Sequence, residues 1–201
     1  QTYNKILAVG KDLSGVKKQV FFWAVNLGYR YNENGNSKYY NMKLRLARKL
    51  VFEKWQEAMG GKLKLIVSGG APLQPRLMRI FWAAGMPVYE GYGLTETSPV
   101  IAVNHSSTPN NVRFGSVGPV LSNVDVKISD DGEILMRGPS LMKGYYNAPE
   151  LTSQTIDSDG WFHTGDIGRL DEGKFLTITD RKKEIFKLSN GKYVAPQLIE
   201  N

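Results

Sequence analysis

Tyr89-Glu90-Gly91-Tyr92-Gly93-Leu94-Thr95-Glu96-Thr97-Ser98-Pro99 is the stretch on which the reading of this chain turns. It follows a short apolar run, Met86-Pro87-Val88, that reads as the end of a buried strand. Gly91 and Gly93 bracket an aromatic residue, which predicts a sharp turn and room for a ligand to approach the backbone. An aromatic plane, hydroxyls and a carboxylate then crowd together. Such groups suit a base, a phosphate oxygen and Mg2+. An ordinary polar strand-to-loop turn accounts for the same residues equally well.

On the N-terminal side, Leu63–Val67 predicts a short strand running into Ser68-Gly69-Gly70-Ala71-Pro72. A small-residue turn between a strand and a helix is where open α/β sheets bind nucleotides. Without G-x-G-x-x-G or a Walker lysine it is weak alone. Pro75 and Gly85 delimit a helix over Arg76–Ala84, and a strand over Pro87–Glu90 follows. This order predicts a parallel α/β sheet with Ser68–Ala71 and Glu90–Ser98 side by side on its ligand edge. Further back, apolar spacing from Ile6 to Leu27 predicts one helix over residues 5–30. A second helix runs from about Tyr39 to Met59, with Leu44, Ala47, Val51, Trp55 and Ala58 as its apolar stripe and Gly60-Gly61 as its stop. Lys43, Arg45, Arg48, Lys49 and Lys54 lie largely off that stripe. They read first as a solvated face, with an anionic partner or membrane surface as the alternative.

On the C-terminal side, Val124–Ile128, Glu133–Arg137 and Lys174–Ile178 alternate and are separated by Asp/Gly turns. That pattern predicts antiparallel hairpins in a small β-sheet or barrel, with Asp131-Gly132 as the strongest turn. A short helix follows Pro149, and Thr179–Val194 is basic and then strand-like. By themselves those last residues read as a charged surface hairpin.

The 201 residues carry a formal charge of +7, but the Lys and Arg are dispersed, which argues against a dedicated nucleic-acid module. Without cysteine there is no disulfide or thiolate metal site. No apolar run reaches the roughly 18 residues of a membrane span. The N-terminus does not resemble a signal peptide, and both ends look cut.

Taken together, the segments resemble the adenylate-forming superfamily and, within it, the AMP-forming long-chain acyl-CoA synthetases. The resemblance rests on five blocks in family order. They are Ser68–Leu73, Glu90–Pro99, Gly132–Leu135 with Lys143–Asn147, Trp161–Asp166, and Asp180–Glu184 with Gly191. It implies an α/β fold: part of an open parallel sheet with helices, then a small antiparallel β subdomain and the start of a C-terminal lid. The corresponding division is 1–111, 112–179 and 180–201.

The resemblance also implies roles. Tyr92 stacks on adenine, and Glu90, Gly70, Ala71 and Gly93 line its pocket with Ile178 nearby. Thr95 touches the α-phosphate and Glu96 holds Mg2+. Asp166 accepts from the ribose hydroxyls, and Arg181 reaches the ribose or phosphate side. Lys183 is the hinge of the mobile lid, and Gly191 leaves room for the pantetheine arm of coenzyme A. His163 is expected to support Asp166 rather than to act as a base. The implied substrates are fatty acid, ATP and coenzyme A, with no nucleic acid. The implied location is cytoplasmic, with peripheral contact at the inner face of the membrane. The family's phosphate loop and its distant catalytic lysine have no counterpart here, so the chain looks like the middle of a larger enzyme. An adenylating enzyme for aryl or amino acids, or a non-catalytic module on the same fold, are the rival readings. Cut sheet edges also predict self-association.

Overall fold

Ser14 interrupts the helical pattern that begins the chain. Instead of one helix there are two, α1 (Thr2–Asp12) and α2 (Gly15–Gly28). Ser14 is extended (φ −121°, ψ 161°) and Gly15 adopts φ +54°, so the chain breaks direction there. Gly10 permits the close approach, because a Cβ there would overlap the Phe21 ring. Periodicity misses the break because the apolar spacing carries on across it. The computed structural model describes residues 2–108, 110–182, 186–187 and 193–194. They fall into two units, Gln1–Tyr89 and Glu90–Asn201.

In the first unit α3 (Lys38–Ala47) continues through a π-helical turn (Arg48–Phe52) into α4 (Glu53–Ala58). Ser37 caps the start by accepting the Tyr40 N–H at 3.2 Å. Gly60 and Gly61, at φ 90° and 69°, end it as expected, and Gly61 N–H returns to the Gln56 carbonyl at 2.8 Å. Leu44, Ala47, Val51, Phe52 and Trp55 are buried in one core with Phe21, Ala24, Ile80 and Phe81. α5 (Pro75–Ala83) ends at Gly85, φ 77°, where Met86 N–H bonds the Phe81 carbonyl. Arg48 was expected on a solvated face. Instead its Nε donates to the Ala83 carbonyl at 2.8 Å, and Gln56 Nε2 donates to Ala84, so both satisfy carbonyls at the end of α5. β1 is short (Ile66–Ser68), and Ile66 N–H donates to the Pro87 carbonyl at 2.8 Å.

The chain enters the second unit within β2 (Val88–Gly93). No turn occurs at Gly91–Gly93, contrary to expectation. β2 runs on and pairs antiparallel with β3 (Val100–Val103), with an irregularity between Tyr92 and Gly93. A Cβ on Gly93 would overlap the Pro99 carbonyl, so this glycine serves strand pairing. The turn comes later, as a 3-10 turn over Thr95–Thr97 followed by left-handed Ser98 (φ 54°, ψ 57°). The fully buried Thr97 hydroxyl bonds the Leu94 and Pro99 carbonyls and closes this turn.

The remaining strands are β4 (Gly118–Pro119), β5 (Asp125–Ile128), β6 (Glu133–Arg137), β7 (Phe162–Asp171) and β8 (Phe175–Arg181). They form a five-stranded sheet in the order β4-β8-β7-β6-β5, antiparallel at each pairing. The Asp131-Gly132 turn joins β5 to β6, and Gly132 sits at φ 85°. Glu172 and Gly173, both at positive φ, make the β7–β8 turn, the sense that matches strand twist. Ile101, Val124, Ile134, Met136 and Leu176 form the core. α6 (Pro149–Thr155) follows the expected proline, and β9 (Phe186–Lys187) pairs antiparallel with β10 (Tyr193–Val194).

Candidate functional site

The β7–β8 register sets Asp166 opposite Arg181, and Tyr92 of β2 completes a triad with them. Tyr92 Oη donates to Asp166 Oδ2 at 2.6 Å, and Arg181 Nε lies 3.2 Å from Oδ1. Asp166 is buried, whereas the Arg181 side chain is 63% exposed. Burial, and then the bond to Asp166, push the Tyr92 hydroxyl far above its ordinary range, so it remains a proton donor. Among the described residues, Oδ2 accepts the Tyr92 hydroxyl and Oδ1 pairs with the Arg181 guanidinium. A carboxylate has about four acceptor positions, which leaves capacity for a vicinal diol.

A second network holds this triad from β6. Buried Glu133 accepts the Gly165 N–H on Oε1 at 2.8 Å. Its Oε2 takes Lys182 Nζ at 2.8 Å and lies 3.2 Å from His163 Nδ1. Lys182 also reaches Asp131 at 2.7 Å. Burial works to raise the Glu133 carboxyl, but donation from Lys182, Gly165 and His163 outweighs it and holds the group below its usual value. Asp131 and Glu133 together hold the Lys182 ammonium above its usual value. His163 thus lies against Glu133, whose other oxygen fixes the peptide just before Asp166. Glu133 and Lys182 were not singled out from the sequence, because their bond spans 49 residues and no local pattern announces it.

Thr95 is exposed on the 3-10 turn. Next to it, the Glu96 carbonyl accepts the Met142 N–H at 2.8 Å and its Oε1 accepts the Tyr145 hydroxyl at 2.8 Å. That donation, with burial second, raises the Tyr145 hydroxyl. Among the described residues no group of three or more His, Asp or Glu could hold a metal alone. One half-buried carboxylate does fit Mg2+, which binds through one or two carboxylates plus water and phosphate oxygens.

Of the other expected residues, Glu90 is buried in β2. Ile178 packs against the same core as Tyr92. Gly70, at φ 80°, and Ala71 are exposed in the turn after β1 of the first unit. Lys183 and Gly191 lie outside the described residues.

Residues 32–146 match the family described as AMP-binding enzyme. The chain belongs to that family. Among curated relatives, the long-chain-fatty-acid–CoA ligase FadD15 of Mycobacterium bovis is 44% identical over 153 residues, 76% of this chain and 25% of the relative. Fatty acyl-CoA synthetase A of Dictyostelium discoideum is 39% identical over 214 residues, covering 99% of this chain and 31% of the relative. Among solved structures, the Bacillus subtilis O-succinylbenzoate coenzyme A synthetase MenE, in complex with ATP and magnesium ion, matches with a TM-score of 0.60 and 29% identity. That match covers 74% of this chain and 34% of the other. The chain thus spans between a quarter and a third of the length of these relatives. The AMP-binding match includes β2, the 3-10 turn and Glu96, while Asp166 and Arg181 lie beyond it.

Proposed function

We propose that this chain is the nucleotide-holding part of an AMP-forming long-chain fatty acid–CoA ligase. The observation that carries the proposal is the Tyr92–Asp166–Arg181 triad, which gathers an aromatic face, a buried carboxylate and a cation in one place. The names of the relatives support the acid class. In this reading a fatty acid carboxylate attacks the α-phosphorus of ATP and pyrophosphate leaves. The coenzyme A thiol then displaces AMP from the acyl-adenylate. The protein's contribution is positioning and charge complementarity. Tyr92 offers its face to adenine, with Glu90, Gly70, Ala71, Gly93 and Ile178 around the base. Asp166 accepts from the ribose hydroxyls, Arg181 holds the ribose or phosphate side, and Thr95 donates to the α-phosphate. Glu96 would hold Mg2+, which would supply positive charge to complement the phosphates. Lys183 as hinge and Gly191 beside the pantetheine arm complete the assignment, as does the division at residues 111 and 179.

Calorimetric titration with AMP tests the reading. Weak binding by the chain, lost by tenfold or more in Asp166→Ala, is expected, since about 1.4 kcal/mol is one such factor. Equal affinity of the two proteins would refute it. Ligase turnover by the chain alone is not expected, because no phosphate-loop lysine is present. Competition between fatty and aryl acids on the full-length parent separates the acid classes. The proposal extends to a cytoplasmic location with peripheral contact at the inner face of the membrane, to self-association of the chain, and to no nucleic-acid partner. Among the described residues no helix is long and apolar enough to cross a membrane.

A further inference from the structure

The net charge is confined to one part of the chain. Residues 1–58 carry eleven Lys/Arg and four Asp/Glu, a net of +7, whereas residues 59–201 carry fifteen of each. The same helices leave large apolar side chains in the open. Tyr39, Met42, Leu46 and Leu50 are 43–63% exposed and follow one another by three, four and four residues. That is the spacing of a single helical stripe, and it is distinct from the buried stripe of Leu44, Ala47, Val51 and Trp55. Leu50 also borders an open apolar groove of about 470 Å3, together with Val9 and Val16, which are 64% and 73% exposed. Lys17 and Lys54 stand at the rim of this groove. Lys43 and Lys49 accompany the stripe, and Lys43 Nζ sits 4.2 Å above the Tyr39 ring.

We infer that this helical face docks on an anionic lipid surface. An apolar stripe accompanied by lysines is the pattern of a helix lying in the headgroup region, with aliphatic stems along the acyl boundary and ammonium groups among the phosphates. Charge complementarity selects the occupant, since the cytoplasmic leaflet is negative and attracts clustered Lys and Arg. The α3–α4 backbone is bonded within its own helix and needs no partner at the boundary. A merely solvated lysine face would leave the exposed apolar stripe unexplained. This inference shares with the proposed function only the membrane location, and AMP titration is independent of it.

The test is co-sedimentation of the 201-residue chain with phosphatidylcholine vesicles, with and without phosphatidylserine, at low and high salt. Binding is expected only with phosphatidylserine and should weaken with salt. Lys43→Gln with Lys49→Gln should reduce it roughly thirtyfold, about fivefold per lysine. Met42→Ser with Leu46→Ser should reduce it by roughly tenfold per side chain. Met42, Leu46 and Lys49 are exposed and Lys43 is half-buried, and all four lie off the buried stripe, so far-UV circular dichroism should stay unchanged. Equal binding to neutral vesicles, no binding, or wild-type binding by either pair would overturn the inference. So would size-exclusion data in which Met42→Ser with Leu46→Ser converts a dimer to a monomer, which assigns the face to a second copy.

Discussion

Tyr92→Phe removes one hydroxyl and keeps the ring that packs against the core of the second unit. The hydroxyl donates to a carboxylate at 2.6 Å, and that carboxylate is only 5% exposed. Hydrogen bonds to charged groups contribute about 1.5–3 kcal/mol net. Arg181 remains on the other oxygen, but its 63% exposure lets solvent screen it, so it compensates only in part. The expected loss is therefore about 2 kcal/mol, or about 4–8 °C in Tm for a chain of this size. The assay is urea denaturation of wild type, Tyr92→Phe, Asp166→Asn and the double variant. The pair should couple by about 1.5 kcal/mol or more. Coupling below about 0.5 kcal/mol would show that the bond does not hold the triad together. The pH dependence adds a second readout. The folded state keeps the Tyr92 proton above its ordinary value of 10.0, while the unfolded chain releases it there. This contribution is thus fully present below about pH 10 and declines as pH rises, so the gap between wild type and Tyr92→Phe should narrow in alkali.

Glu133→Gln should cost about 1–3 kcal/mol, discounted from a fully buried pair because the Lys182 side chain is 47% exposed. The Glu133 carboxyl is held below its ordinary 4.5, so its contribution is present above that pH and is lost as pH falls through the folded value. Acid titration of stability should accordingly be shallower in Glu133→Gln than in wild type; parallel curves would contradict the network. Gly93→Ala places a methyl group on the Pro99 carbonyl and should destabilise the second unit by more than about 3 kcal/mol. A Tm within experimental error of wild type would refute the account of that glycine.

Several elements were legible because their causes are local. Leu44, Ala47, Val51 and Trp55 share one helix face whatever lies opposite, and Gly60, Gly61 and Gly85 stop helices by adopting positive φ within the same few residues. The Asp131-Gly132 turn is likewise chosen by its own backbone. The π turn at Arg48–Phe52 was invisible, since apolar spacing on either side of it still fits a helix. β7 was hidden because Trp161–Asp166 read as a family block, and no alternation marked the residues that continue the strand to Asp171. Among the candidate site residues, Tyr92 and Asp166 were legible only through motif resemblance.

Residue order alone settled the buried face of α3–α4, the helix stops at Gly60-Gly61 and Gly85, the Asp131-Gly132 turn and the family blocks, because each depends on neighbours within about one or two turns of chain. Folding in three dimensions decided which groups meet. Tyr92 reaches Asp166 across 74 residues and Glu133 reaches Lys182 across 49. Those distances are closed by strand register, which no short window of sequence encodes. The purpose of Gly93 also changed, from a turn for a ligand to the close passage of Pro99. Steric exclusion by a distant carbonyl is a property of packing, and it exists only once β2 and β3 lie side by side.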